Sequence, residues 1–133
     1  MRVILDTNVI LSAIFFGGVP GHILNAYRDG KITLVLSPEI LEEYRETAAR
    51  LAEKFDVEYE ALLEWIAIHS EMEQSLQLPA PVCVDPDDDK FIACALASNA
   101  KIICSGDRHL LDVNGYQGIE IIKPRAFTEK YLH

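Results

Sequence analysis

Four stretches of the 133-residue chain carry carboxylates that could meet at one point. They are Asp6-Thr7-Asn8, Ser37-Pro38-Glu39-Ile40-Leu41-Glu42-Glu43-Tyr44-Arg45-Glu46, Asp85-Pro86-Asp87-Asp88-Asp89 and Ser105-Gly106-Asp107. Carboxylates gathered at one point repel one another unless a cation neutralises them. Donor sets made only of oxygen suit Mg²⁺ or Mn²⁺ better than zinc. Each stretch also has an ordinary use. Asp6 and Asp107 stand where helix N-caps stand. Asp85, Pro86 and Asp87 read as the N-cap and first turn of a helix, whose free amides welcome negative charge. The glutamates face solvent by default. Convergence of the four stretches decides between these uses.

The elements that must bring them together follow from hydrophobic periodicity. Val3–Leu5, Ile32–Leu36, Lys101–Cys104 and Ile119–Ile122 read as short buried strands. Helices are expected over Val9–Phe15, stopped by Gly17-Gly18, and over Ile23–Arg28, ended at Asp29-Gly30. A third helix starts at Pro38 with Ser37 as its N-cap; Ile40 occupies the slot where a capping box would need Glu or Gln. Its apolar stripe is Ile40, Leu41, Tyr44, Ala48, Leu51 and Ala52. Further helices are expected over Glu58–His69, from the aspartate cluster to Ser98-Asn99, around Leu110-Leu111, and from Pro124 onward. Between them Pro79 and Pro81 mark a connection, with at most a short edge strand near Met72 to Leu76.

Strands alternating with helices predict an α/β fold, a parallel sheet covered on both faces, in one domain over residues 1–133. Ligands of such sheets bind beyond the carboxyl ends of the strands, where strand order reverses. Asp6 directly follows the first strand, and Asp107 lies three residues after Cys104. The aspartate cluster opens the helix feeding that latter strand, and the glutamates ride on the helix after strand two. Helical rotation puts Glu46 opposite the apolar stripe and Glu42 and Glu43 on its flanks, Glu43 a little nearer. In the cluster, Asp89 has Ile92 and Leu96 three and seven residues on, which makes it the better inward candidate; Asp88 stays open.

The formal net charge of −9 argues against a nucleic-acid partner on bulk electrostatics, because phosphate contacts need a basic face. Bound divalent cations would reverse the local sign and take phosphate oxygens themselves. Half of the residues are hydrophobic and a quarter charged, as in ordinary globular proteins. The apolar start Val3-Ile4-Leu5 is broken by Asp6, and no apolar run is long enough to cross a bilayer, so neither a signal peptide nor a membrane partner is expected. Cys83, Cys94 and Cys104 lack zinc-site spacing and read as buried free thiols of a cytoplasmic protein.

Taken in order, Asp6-Thr7-Asn8-Val9, the Ser37–Glu46 stretch, Asp85-Pro86-Asp87-Asp88-Asp89-Lys90-Phe91 and Ser105-Gly106-Asp107-Arg108-His109-Leu110-Leu111 resemble the PIN-domain family. Within it they resemble the group of toxin components of bacterial and archaeal toxin–antitoxin modules. The resemblance spans essentially the whole chain. It implies a three-layer fold with a central parallel sheet of four or five strands, and an acidic pocket for Mg²⁺ or Mn²⁺. Carried over by position, it assigns catalytic and metal-binding roles to Asp6, Glu43, Asp89 and Asp107, with Asn8, Ser105 and Asp88 in support. Ser105 stands where threonine is more usual.

The function so implied is a metal-dependent endoribonuclease, the toxin half of such a pair, with RNA as substrate. An antitoxin protein and a homodimer or higher homo-oligomer are the implied protein partners. The Glu58–His69 helix with Trp65 offers apolar surface either for such contacts or for the chain's own core. Arg45 and Arg108 are candidate phosphate contacts; His22 and His109 are given no role. The alternative is a catalytically silent module acting through protein–protein contacts. A phosphatase using Asp6 as nucleophile ranks last, since Asn8 stands where a second acid is wanted.

Overall fold

Five short strands, Arg2–Leu5 (β1), Thr33–Leu36 (β2), Glu71–Met72 (β3), Ile102–Cys104 (β4) and Glu120–Ile122 (β5), form one sheet in a computed structural model that describes residues 1–132. The order is β3-β2-β1-β4-β5, and every pairing is parallel. Val3, Ile4 and Leu5 of β1, Leu34, Val35 and Leu36 of β2 and Ile103 and Cys104 of β4 are buried, as expected of strands covered on both faces. The sheet is the center of an α/β three-layer arrangement with helices Thr7–Phe15 (α1), Gly18–Arg28 (α2), Pro38–Ala52 (α3), Glu60–His69 (α4), Asp89–Ser98 (α5), Arg108–Leu111 (α6) and Pro124–Tyr131 (α7).

The chain moves outward from β1 to β2 to β3, then returns to place β4 on the other side of β1. Strand order therefore reverses between β1 and β4. Their registered pairs are Ile4 with Ile103 and Leu5 with Cys104, so both strands end at the same level. The next residue of each chain segment continues the contact: the Asp6 amide donates to the Cys104 carbonyl at 2.9 Å.

Local chemistry explains most element boundaries. Ser37 caps α3, its hydroxyl accepting from the Ile40 amide at 3.2 Å, and Pro38 takes the first helical position. The buried side of α3 is Ile40, Leu41, Tyr44 and Ala48; Leu51 and Ala52 are only partly covered. Asn99 ends α5 with φ of 60°, a left-handed conformation that asparagine tolerates.

Several boundaries differ from expectation. α2 begins at Gly18, well before Ile23, with Pro20 and Gly21 in its first turn. Proline is harmless there because first-turn amides have no helical partner to lose. Gly17 and Gly18 take φ of 78° and 63°, which lets α2 leave α1 at 94° within two residues. The edge strand is Glu71–Met72, starting one residue earlier and ending four earlier than its expected range. α4 starts at Glu60, two residues late. A single 3₁₀ turn, Pro86–Asp88, precedes α5 and changes the phase of the aspartates.

Trp65 of α4 packs edge-on against Tyr27 at 5.2 Å and stacks on His69 at 4.2 Å, so much of its surface serves the chain's own packing. The three cysteines are buried and free. Among the described residues no single helix is long and apolar enough to cross a membrane.

Candidate metal centre

Beyond the carboxyl ends of β1 and β4 opens an acidic cleft of about 610 Å³. Asp6, Asn8, Glu43, Asp85, Asp87, Asp88 and Asp107 line it, with Glu39, Glu42 and Glu46 on the α3 side. Its cations are Lys90 and Arg50. Arg45 and Arg108 lie outside it: Arg45 reaches toward Glu64 at 3.9 Å and Arg108 is exposed.

Asp6 occupies the N-cap position of α1, yet its side chain makes no cap hydrogen bond. Its carboxylate instead accepts the Ser105 hydroxyl through Oδ2 at 2.6 Å, across the switch point. Burial pushes the Asp6 carboxyl above its usual range, opposed by the Ser105 hydrogen bond and reinforced by negative charge on Asp107 and Glu43. Ser105 is fully buried and also accepts the Asp107 amide at 2.9 Å, so one hydroxyl ties both aspartates. Asp107 does cap α6, its Oδ1 accepting from the His109 amide at 3.0 Å, which leaves Oδ2 for the cleft.

Glu43 arrives from α3 and is held twice. The Thr7 hydroxyl donates to its Oε2, and Lys90 Nζ lies 2.6 Å from Oε1. α3 is itself pinned to the sheet where Asp6 begins, because the buried Tyr44 hydroxyl donates to the Leu5 carbonyl. Thr7 and Lys90 carried no expectation from sequence. The signal for Lys90 lies in its position beside the aspartates, on a helix that the glutamate helix packs against.

The aspartate cluster divides differently from expectation. Asp89 turns away from the acids. Its Oδ1 accepts the Cys83 amide at 2.7 Å and its Oδ2 the Val82 amide at 3.2 Å, closing the loop that leads into α5. Asp88 takes the inward place, 8% exposed. The reason is helical phase. The buried face of α5 runs through Phe91, Ile92 and Ala95, and Asp88 lies three and four residues before the first two. Leu96, the anchor that favoured Asp89, is only half-buried. Asp85 caps the 3₁₀ turn through Oδ1, accepting from the Asp87 amide at 3.0 Å.

Asp88 is the most perturbed acid of the cleft. Burial, then the nearby Asp107, pushes its carboxyl up to about 7. Its Oδ2 is buried and has no hydrogen-bond partner among the described residues. A buried carboxylate oxygen without a donor is costly. A divalent cation supplies the missing partner, so the orphaned oxygen and the oxygen-rich surroundings fit a hard metal ion. Asn8 is exposed at the rim and adds a neutral oxygen.

Comparisons with known proteins bear on the fold. A family model described as PIN domain matches residues 2–109. An uncharacterized protein of Methanocaldococcus jannaschii, MJ1680, is 33% identical over 144 residues, covering 98% of this chain and 92% of that protein. The matched span contains every acid of the cleft and the whole of β1 through β4.

Proposed function

The chain belongs to the PIN-domain family, whose fold is of the nuclease type, and from that premise we propose that it is a Mg²⁺- or Mn²⁺-dependent endoribonuclease. The observation that carries the reading is the unpartnered, buried Oδ2 of Asp88 in a cleft shared with Asp6, Glu43 and Asp107. When bound, the metal supplies an acidified water and positive charge against the scissile phosphate.

The remaining work belongs to the chain's own residues. Asp6, Glu43, Asp88 and Asp107 hold the ion, directly or through water. Ser105 fixes the carboxylate of Asp6 and the backbone of Asp107, so that neither must reorganise on loading. Thr7 and Lys90 orient Glu43 in the same way. Lys90 and Arg50 are the cleft's positive groups and are suited to the phosphate oxygens of an entering strand.

Within the family we place the chain with the toxin halves of toxin–antitoxin pairs, and expect a cytoplasmic protein that an antitoxin protein holds in check. That assignment rests on the sequence motifs. A phosphodiester substrate is favoured over a small monoester because the cleft, of about 610 Å³, is open to solvent.

Purified protein is incubated with structured and unstructured RNA in Mn²⁺, Mg²⁺ or EDTA. The reading predicts cleavage with either ion, none in EDTA, and loss of at least a hundredfold in rate on Asp6→Asn. Cleavage that persists in EDTA or in the variant contradicts it. Failure to bind Mn²⁺ at millimolar concentration favours the catalytically silent module.

A further inference from the structure

Two acids of the cleft lining, Asp85 and Asp88, come close to His109, which stands outside that lining. Asp85, Asp88 and His109 each offer one ligand atom, and the three atoms lie within 4.8 Å of one another. His109 Nδ1 lies 3.7 Å from Asp88 Oδ2. That oxygen is buried and has no hydrogen-bond partner among the described residues, on a residue 8% exposed. A separation of 3.7 Å is too long for a hydrogen bond. It is close to the spacing of two atoms that share a small cation at roughly 2.1 Å each.

Two of the three residues are placed by separate local caps. Asp85 is set by capping the 3₁₀ turn through Oδ1, which leaves Oδ2 available. His109 is set by the α6 cap, its amide bonded to Asp107 Oδ1. Its side chain is 43% exposed, so the ring can move the few tenths of an ångström that coordination requires.

We propose that Asp85, Asp88 and His109 form a second cation position beside the cleft, one that takes a transition-metal divalent ion such as Mn²⁺ in preference to Mg²⁺. An imidazole nitrogen beside two carboxylates is the chemical difference: nitrogen donors favour transition ions, whereas Mg²⁺ is held by oxygen and water. Asp88 neighbours both Asp107 and His109, so it is the residue common to the two positions. The proposal rests on the reading of the cleft as a cation site. It is independent of whether RNA is the substrate.

The test is Mn²⁺ titration of untagged, metal-free protein, followed by pulsed electron paramagnetic resonance for nitrogen coupling. Wild-type protein is expected to bind Mn²⁺ with imidazole nitrogen coupling, which tenfold excess Mg²⁺ does not displace. H109A is expected to lose that coupling and at least tenfold in the affinity of one equivalent, while nitrogen-free Mn²⁺ binding persists. D85N gives the same affinity loss with the histidine intact. Asp6→Asn is expected to keep the nitrogen-coupled ion.

No nitrogen coupling in the wild type, or coupling unchanged in H109A, overturns the second position. Loss of all Mn²⁺ binding in Asp6→Asn overturns its independence from the inner site. Nitrogen-coupled binding without any RNA cleavage leaves the second position standing and removes the ribonuclease reading instead.

Discussion

At the scale of single residues, Asp88 and Asp89 are neighbours with opposite work. Asp89 spends both oxygens on loop amides, whereas Asp88 keeps a buried oxygen for the cleft. Asp89→Ala is expected to lower stability by about 2 kcal/mol, from two lost amide partners, while leaving the affinity for Mn²⁺ within a few-fold. Asp88→Asn is expected to do the reverse, losing metal affinity without loss of stability. Denaturant unfolding and calorimetric Mn²⁺ titration of the pair separate the two roles.

The Asp88 carboxyl also sets a pH dependence. Its value is about 7 in the folded protein against an ordinary 3.8. Between those values the folded state keeps a proton that the unfolded chain has released. The group's contribution to stability is therefore complete below about pH 4 and is lost as pH rises through about 7. In EDTA, the melting temperature is expected to fall between about pH 4 and about pH 7, and Asp88→Asn to flatten that fall. Added Mg²⁺ should stabilise most at the high end, where no proton competes for the site.

At the scale of elements, the motifs were legible because caps and strand ends are local. Ser37-Pro38 at the start of α3, Asp85-Pro86 at the 3₁₀ turn, and Asp6 and Asp107 after their strands could all be read from order alone. The choice between Asp88 and Asp89 could not, since one 3₁₀ turn shifts the phase of everything before α5. The ties between elements were equally hidden. Thr7 and Lys90 reach Glu43 across 36 and 47 residues, and Ser105 reaches Asp6 across 99. Tyr44 gives an element-level test, because its hydroxyl joins α3 to the end of β1. Tyr44→Phe leaves the Leu5 carbonyl without that donor and is expected to cost about 1–3 kcal/mol in unfolding free energy. A change below the error of the unfolding measurement would show that the tie does not hold α3 in place.

At the scale of the whole molecule, the parallel sheet was legible from alternating buried strands, and the reversal of strand order between β1 and β4 explains why the acids line one cleft there. The charge of −9 was read first as an argument against nucleic acid. Concentrated in one cleft, much of that charge is instead a demand for cations. Two consequences follow for the intact protein. RNA binding, followed by fluorescence anisotropy with a non-cleavable analogue, should require a divalent ion and vanish in EDTA. Metal at a hundred times its dissociation constant should stabilise the fold by about 2.7 kcal/mol, if it binds only the folded state.

The most direct measurement is anomalous diffraction from a crystal soaked in Mn²⁺. A cation held by Asp6, Glu43, Asp88 and Asp107 predicts an anomalous peak in the cleft beyond the carboxyl ends of β1 and β4. Carboxylate oxygens of Asp88 and at least one of Asp6 and Asp107 should lie at roughly 2.1 Å from it, as for a small hard cation. A cleft without such a peak at saturating Mn²⁺, or a peak coordinated by Asp89 in place of Asp88, would contradict the account.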